Sequence, residues 1–308
     1  MITPVERFRG CLMGLMLGDA IGAPFEGCRQ GIEPDFQKDL PAVLRYTDDS
    51  EMAIGVGESL IASDGFDPDD MAMRFAENYN PLRGYGSGTA AIINMIKSGM
   101  HWKEANTKVF KNGSFGNGSA MRAAPLGLFF SHRTGQLRAA VEEASSITHH
   151  HVLGKEGAVL LAYAVSLLVT QEVMKDRNHM IDALLGFTSS DEYSAKLLIM
   201  KELIKEEASG EQVVLRLGNT VLALESVPAA LYVFLVYGSD FKKMMQVCIS
   251  LGGDTDTIGA MAGALSGCLL GEQALPGEWI QKLENGEKGK DHIVEIAERL
   301  FLMHQAHS

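Results

Sequence analysis

The chain has little of what several common functional sites require. It holds only four cysteines, Cys11, Cys28, Cys248 and Cys268, with no Cys-x-x-Cys spacing. That usage excludes a thiolate zinc site and a disulfide framework, and it predicts reduced thiols in a cytoplasmic protein. Basic residues are scarce: 27 Lys plus Arg stand against 39 acids, a net charge of −12. A nucleic-acid surface needs the opposite balance. An anionic small ligand stays compatible, because metals and backbone N–H groups create local positive potential. No apolar run reaches the ~20 residues of a membrane span. The stretches 158–169 and 227–237 are shorter and read as buried core helices. The opening residues, Met1-Ile-Thr-Pro-Val-Glu-Arg-Phe-Arg, lack the apolar core of a signal peptide. There is no Gly-x-Ser-x-Gly elbow and no poised cysteine, so nothing indicates a covalent nucleophile.

Strand-like alternation is also missing beyond a few residues, and neither a repeat nor a linker divides the chain. What remains is helical spacing of apolar residues from end to end. With 46% hydrophobic and 21% charged residues over 308 positions, the composition is globular. The expectation is a single all-α domain spanning 1–308. Helices are predicted at about 4–18, 50–62, 68–79, 89–98, 120–130, 135–147, 152–171, 178–187, 191–206, 220–238, 240–248, 256–271, 276–285 and 289–305. Pro125 and Pro228 are expected to bend or interrupt two of them. Residues 27–46 read as a long irregular loop.

One stretch organises the rest: Leu251-Gly252-Gly253-Asp254-Thr255-Asp256-Thr257-Ile258-Gly259. Charge set between apolar runs must be paired, used as a cap or bound to metal. Asp and Thr are common helix caps, and a helix begins near Asp256. A second cluster, Tyr46-Thr47-Asp48-Asp49-Ser50-Glu51, also precedes an apolar run, where Asp48 and Glu51 could form a capping box. A cap needs one acid, yet four aspartates gather at two helix starts. Oxygen donors without Cys or His indicate a hard cation, Mg²⁺, Mn²⁺ or Ca²⁺.

Glycines recur at Gly10, Gly14, Gly18 and Gly22, and again at Gly259, Gly263, Gly267 and Gly271. Each interior glycine costs a helix about 1 kcal/mol relative to alanine. Two such rows therefore predict close packing of the first helix on the one after Asp256. That would bring Asp19 and Glu26, expected just past the first helix, near Asp254 and Asp256. Two glycine-rich turns open helices, at Gly84-Tyr85-Gly86-Ser87-Gly88 and at Gly113-Ser114-Phe115-Gly116-Asn117-Gly118. Backbone N–H groups in such turns can cradle phosphate, and two turns match two phosphates. Tyr85 and Phe115 are candidates to stack on a base or cover a sugar. The run His149-His150-His151 cannot share one helix face, so one functional histidine at most is expected.

Taken in order, Gly18-Asp19-x-x-Gly22-x-x-x-Glu26, Thr47-Asp48-Asp49-Ser50, Gly84-Tyr85-Gly86, Gly116-Asn117-Gly118-x-Ala-Met-Arg122, Thr148-His149 and Gly252-Gly253-Asp254-Thr255-Asp256-Thr257 resemble the magnesium-dependent ADP-ribosylhydrolases, or ADP-ribosylglycohydrolases. That family includes dinitrogenase reductase-activating glycohydrolase and hydrolases that remove ADP-ribose from serine or arginine. The resemblance runs from Gly10 to about Gly271. It implies an all-α fold around a cleft with two Mg²⁺ ions, with Mn²⁺ a possible substitute. Thr47, Asp48 and Asp49 would bind one ion, Asp254 and Thr257 the other, and Asp256 would bridge them. Glu26 matches the family's mobile catalytic glutamate, with Asp48 and Asp254 as its catalytic partners. Gly84, Gly86, Gly113, Ser114 and Gly116 would hold the pyrophosphate. Phe115 would lie on the adenosine side, in place of a tyrosine found in some members, and His149 beside the bound ADP-ribose. Ser50 stands where threonine often closes the motif and keeps the hydroxyl.

The resemblance implies a hydrolase acting on an ADP-ribosylated protein or a small ADP-ribosyl conjugate, expected to be a monomer with no membrane or nucleic-acid partner. Two other readings use the same residues: a silent ADP-ribose-binding or crystallin-like protein, and a helical two-metal nucleotide pyrophosphohydrolase.

Overall fold

The computed structural model describes residues 2–170 and 177–306. Among these, sixteen α-helices and no strand ladder occur. They are α1 (Pro4–Gly22), α2 (Asp48–Ala62), α3 (Pro68–Asn78), α4 (Ser87–Lys97), α5 (Trp102–Val109) and α6 (Ala124–Phe129). Then come α7 (Thr134–Ser146), α8 (Val152–Thr170), α9 (Arg177–Phe187), α10 (Asp191–Lys205) and α11 (Gly210–Leu217). The last are α12 (Ala223–Tyr237), α13 (Phe241–Leu251), α14 (Thr255–Leu270), α15 (Gly277–Lys282) and α16 (Lys290–Ala306). The predicted end of the 152–171 helix falls outside the described residues.

Helix α1 starts with a full capping box, in which Thr3 and Glu6 satisfy each other's backbone N–H groups. Every residue from Gly10 to Gly22 is buried. A helix covered on all sides sits at the centre of a fold. Its partner is α14, buried from Thr255 to Cys268. The two run antiparallel with their glycine rows in register: Gly10 faces Gly267, Gly14 faces Gly263 and Gly18 faces Gly259. A Cβ on any of these would collide with the opposite main-chain carbonyl. At the end of the row a Cβ on Gly22 would lie 2.6 Å from Asp256 Cα. The glycines thus set the spacing that brings the end of α1 against the start of α14.

Several elements differ from the sequence expectation. Asp19 lies inside the last turn of α1, which runs on to Gly22. The short helices α5 and α11, eight residues each, have no counterpart in the predicted set. Pro125 stands in the first turn of α6 and opens it, as its missing N–H permits. Helix α12 runs unbroken through Pro228. Helix α8 is long and apolar enough to cross a membrane by length and composition, yet 78% of its apolar window is buried inside the fold. It serves as a core helix against α6, α7 and α12.

Candidate active site

Both acidic clusters sit at helix N-termini, and the central helix pair brings them together. Thr47 is the N-cap of α2, its side chain accepting from Asp49 N–H. Asp48 is already in the first turn, and Glu51 accepts from Asn80 N–H (2.8 Å) and the Tyr85 hydroxyl (2.8 Å). The capping box expected of Asp48 and Glu51 is therefore not formed. Beneath them Asp19 gathers four donors: Thr47 N–H, Thr47 Oγ1 (2.8 Å), Ser50 N–H (3.0 Å) and Ser50 Oγ (2.5 Å). Burial pushes the Asp19 carboxyl up to about 6, although these bonds favour its ionised form.

At α14, Asp254 occupies the N-cap position but makes no cap bond. Its Oδ2 accepts instead from Asn117 Nδ2 at 2.5 Å. The same amide group donates to Ser226 Oγ at 2.9 Å. Asp254 is thus held toward the glycine-rich turn rather than spent on its own helix. Thr255 Oγ1 donates to Gly22 O (2.9 Å), closing the junction between α1 and α14.

The loop after α1 returns Glu26 to this point. Gly27 N–H donates to Gly253 O (2.8 Å) and Gly253 N–H to Cys28 O (3.1 Å). Gly252 and Gly253 both have φ near +70°, the left-handed region that glycine enters without strain. A Cβ at Gly252 would lie 2.7 Å from Cys28 O. Carboxylate oxygens of Glu26, Asp254 and Asp256 consequently lie within 4.8 Å of one another.

So much negative charge in one place is not self-sustaining. Burial first, then neighbouring carboxylates, push Asp48 up to about 8 and Asp256 up to about 10. The same causes raise Asp49, and burial with the Asp254 charge raises Glu26. Asp49 Oδ1 is buried without a hydrogen-bond partner. An all-oxygen donor set with an orphaned carboxylate oxygen and mutually repelling acids fits a hard cation.

The acids line a cleft of ≈ 290 Å³. Its lining includes Glu26, Asp48, Asp49, Asp254, Asp256 and Thr257 on one side. Gly84, Gly86, Ser114, Gly116 and His149 line it elsewhere. Thr47 is not in the lining; its hydroxyl is turned to Asp19 and Asp49. Gly113 and Phe115 also lie outside it. A Cβ on Gly113 would strike the His150–His151 backbone, and Phe115, half-exposed, lies against the His151 ring with centroids 3.6 Å apart and planes tilted by 31°. The aromatic residue in the lining is Phe110, which the sequence reading missed. Its signal was weak, a lone phenylalanine after a short helix. Tyr85 lies outside the lining and binds Glu51.

Of the three consecutive histidines only His149 faces the cleft. Arg122, buried over the Phe75 ring, donates to Thr148 Oγ1 at 2.9 Å. Thr148 Oγ1 in turn lies 2.8 Å from His149 Nδ1. Burial and the Arg122 charge lower His149 to about 3, so its ring is neutral. A Cβ at Gly118 would lie 2.6 Å from its Cε1, which accounts for glycine there.

The family model described as ADP-ribosylglycohydrolase matches residues 2–308. The ADP-ribosylhydrolase ARH3 of Gallus gallus is 36% identical, with 91% of this chain and 90% of that protein covered. The ARH3 of Homo sapiens is 34% identical, with 96% and 94% covered. A solved structure described as an ADP-ribosylglycohydrolase-related protein complex superposes with a TM-score of 0.76 at 28% identity, covering 97% of this chain and 98% of its own.

Proposed function

The chain belongs to the ADP-ribosylglycohydrolase family, and from that premise we propose that it hydrolyses the bond between ADP-ribose and a modified substrate at this cleft. One observation carries the placement: Glu26, Asp254 and Asp256 converge within 4.8 Å in a cleft also lined by glycine-rich turns. Asp48, Asp49, Asp254, Asp256 and Thr257, which line the cleft, would hold Mg²⁺, two ions in our reading; Thr47 would join them only with its hydroxyl turned away from Asp19 and Asp49. When bound, the ions neutralise the carboxylates and polarise the ribose hydroxyls and a water.

The chain's own groups do the rest. Backbone N–H groups at Gly86 and Ser87, where α4 begins, face the pyrophosphate with the positive end of an 11-residue helix behind them. Ser114 and Gly116 approach from the second turn. His149, neutral, offers a ring N–H without adding charge. Glu26 takes the proton of the attacking water; burial and the Asp254 charge raise its pKa and so make its carboxylate a stronger base. Asp48 and Asp254 hold the reacting ribose against that water. Attack at the anomeric carbon passes through an oxocarbenium-like state, as in glycoside hydrolysis; the bond to the substrate's oxygen or nitrogen breaks, and that atom leaves with the proton Glu26 took from the water. Proton transfer of this kind contributes roughly 10²–10⁴-fold. The four free cysteines fit a reduced, cytoplasmic setting, and we place the protein there as a monomer.

The test is product analysis on serine- and arginine-ADP-ribosylated peptides and O-acetyl-ADP-ribose in parallel. Free ADP-ribose from at least one substrate supports the reading, and the preferred panel names the linkage. Release of AMP instead would identify a pyrophosphohydrolase. Binding of ADP-ribose without turnover of any substrate would identify a silent binder.

A further inference from the structure

A carboxylate from the far end of the chain meets the two segments that lead into Asp48 and Gly84 of the cleft. Residues 44–46 run beside the segment after α15. Leu44 N–H donates to Lys282 O (2.8 Å), and Glu284 N–H donates to Leu44 O (3.0 Å). This pairing delivers the Glu284 side chain to the residues just before Thr47. Its Oε1 accepts from Tyr46 N–H at 3.0 Å. Its two oxygens also receive the two terminal nitrogens of Arg83, with Nη2 to Oε2 at 3.2 Å. Such a fork fixes orientation as well as distance.

Arg83 adds three more ties. Nη1 donates to Tyr46 O at 2.8 Å, and the guanidinium lies over the Tyr46 ring at 3.6 Å. Nε stands 3.6 Å from Glu51 Oε2 and has no hydrogen bond of its own. Glu51 in turn takes Tyr85 OH and Asn80 N–H, the residues flanking Arg83. Arg83 directly precedes Gly84, whose φ of +85° starts the turn along the cleft. One guanidinium between two carboxylates therefore spans the Tyr46–Asp49 approach to α2 and the Gly84–Gly86 turn. Glu284 joins it from outside these two segments and does not itself line the cleft.

We propose that Glu284 is a positioning residue for the active site, acting through Arg83 to fix the Gly84–Gly86 turn relative to the start of α2. The inference rests on the functional reading of the cleft for its consequence, but not for the positioning itself. An ion pair that merely glued the fold together would show its loss in global stability. A positioning pair shows it locally, in the two segments it joins, and in ligand affinity.

The experiment compares the wild-type protein with Glu284→Gln, Arg83→Lys, the double variant, and Glu287→Gln as a control that removes an exposed neighbouring charge. Amide hydrogen exchange is read on ligand-free protein, and ADP-ribose affinity is read in the same samples. The expected result is exchange raised about tenfold in 45–49 and 82–88 alone for Glu284→Gln and Arg83→Lys. ADP-ribose should bind each of them about tenfold more weakly, the double variant no worse than the worse single, and Glu287→Gln like wild type. Unchanged exchange in both segments for Glu284→Gln would overturn the proposal, as would a rise spread over the whole chain. If the local rise appears but the wild-type protein neither binds ADP-ribose nor releases it, the positioning stands and the assigned ligand falls.

Discussion

The carboxylate of Asp19 receives both the backbone N–H and the hydroxyl of Thr47, at 2.9 and 2.8 Å. A buried acid on the central helix thus sets the first residue of the Thr47-Asp48-Asp49 cluster. Replacing Asp19 by asparagine keeps the shape but turns one acceptor into a donor facing donors. The expected outcome is a stability loss of about 1–3 kcal/mol, the cost of leaving buried donors unmet. Chemical denaturation checks it, with loss of turnover alongside. A variant as stable and active as wild type would remove Asp19 from the account.

The glycine row makes a sharper packing prediction. Gly14→Ala drives a Cβ into the Gly263 carbonyl of a buried neighbouring helix. Over-packing of this kind costs about 1–3 kcal/mol, and here the obstacle is backbone, which yields least. Gly135→Ala, in the first turn of α7 with nothing within 4 Å of the added Cβ, is the matched control. It should be neutral or stabilising by up to about 1 kcal/mol. Thermal melts of the pair decide whether the row is a packing device.

Stability should fall as pH rises in the metal-free protein. Asp48 and Asp256 ionise near 3.8 when unfolded, but only at about 8 and about 10 when folded. Between those limits the native state holds more protons than the unfolded one, so their contribution is intact at low pH and is lost on the way up. Melting temperatures in EDTA should therefore drop between pH 5 and 8, and Mg²⁺ should flatten the slope by neutralising the same carboxylates. A flat profile in EDTA would show that the acids are not in electrostatic conflict.

His149 should not titrate in the physiological range. Burial and the Arg122 charge hold it at about 3, so its ring carbon and nitrogen resonances should stay at neutral values from pH 5 to 8. Any limb of the pH–rate profile in that interval then belongs to another group. An imidazole shift midway through the range would contradict the Arg122–Thr148–His149 arrangement.

The parts of this site visible in the sequence share a cause. Glycine rows record close packing directly, because only the lack of a Cβ permits it, and so the α1–α14 contact was legible. Clustered aspartates in apolar sequence record unusual charge, so both acidic clusters were legible. Contacts made by ordinary residues across long separations leave no such mark. Asn117 meets Asp254 across 137 positions, and Arg83 meets Glu284 across 201. Asp19 was expected beyond α1 because Gly18 and Gly22 look like breakers; packing against α14 holds the helix together through them. Helices α5 and α11 are too short for periodicity to declare itself. The resemblance puts Phe115 on the adenosine side; in the structure its ring lies against His151, beside the lining residues Ser114 and Gly116, and Phe110 is a further phenylalanine in the lining.

In our reading a cation-filled carboxylate cleft releases ADP-ribose. The most direct test is free ADP-ribose release from an ADP-ribosylated peptide with Mg²⁺, after EDTA, and after Mg²⁺ is restored, for wild type and for Asp254→Ala and Asp256→Ala. Release, loss and recovery are expected for wild type, and none from either variant under any condition. Full release in EDTA, or from both variants, would contradict this reading.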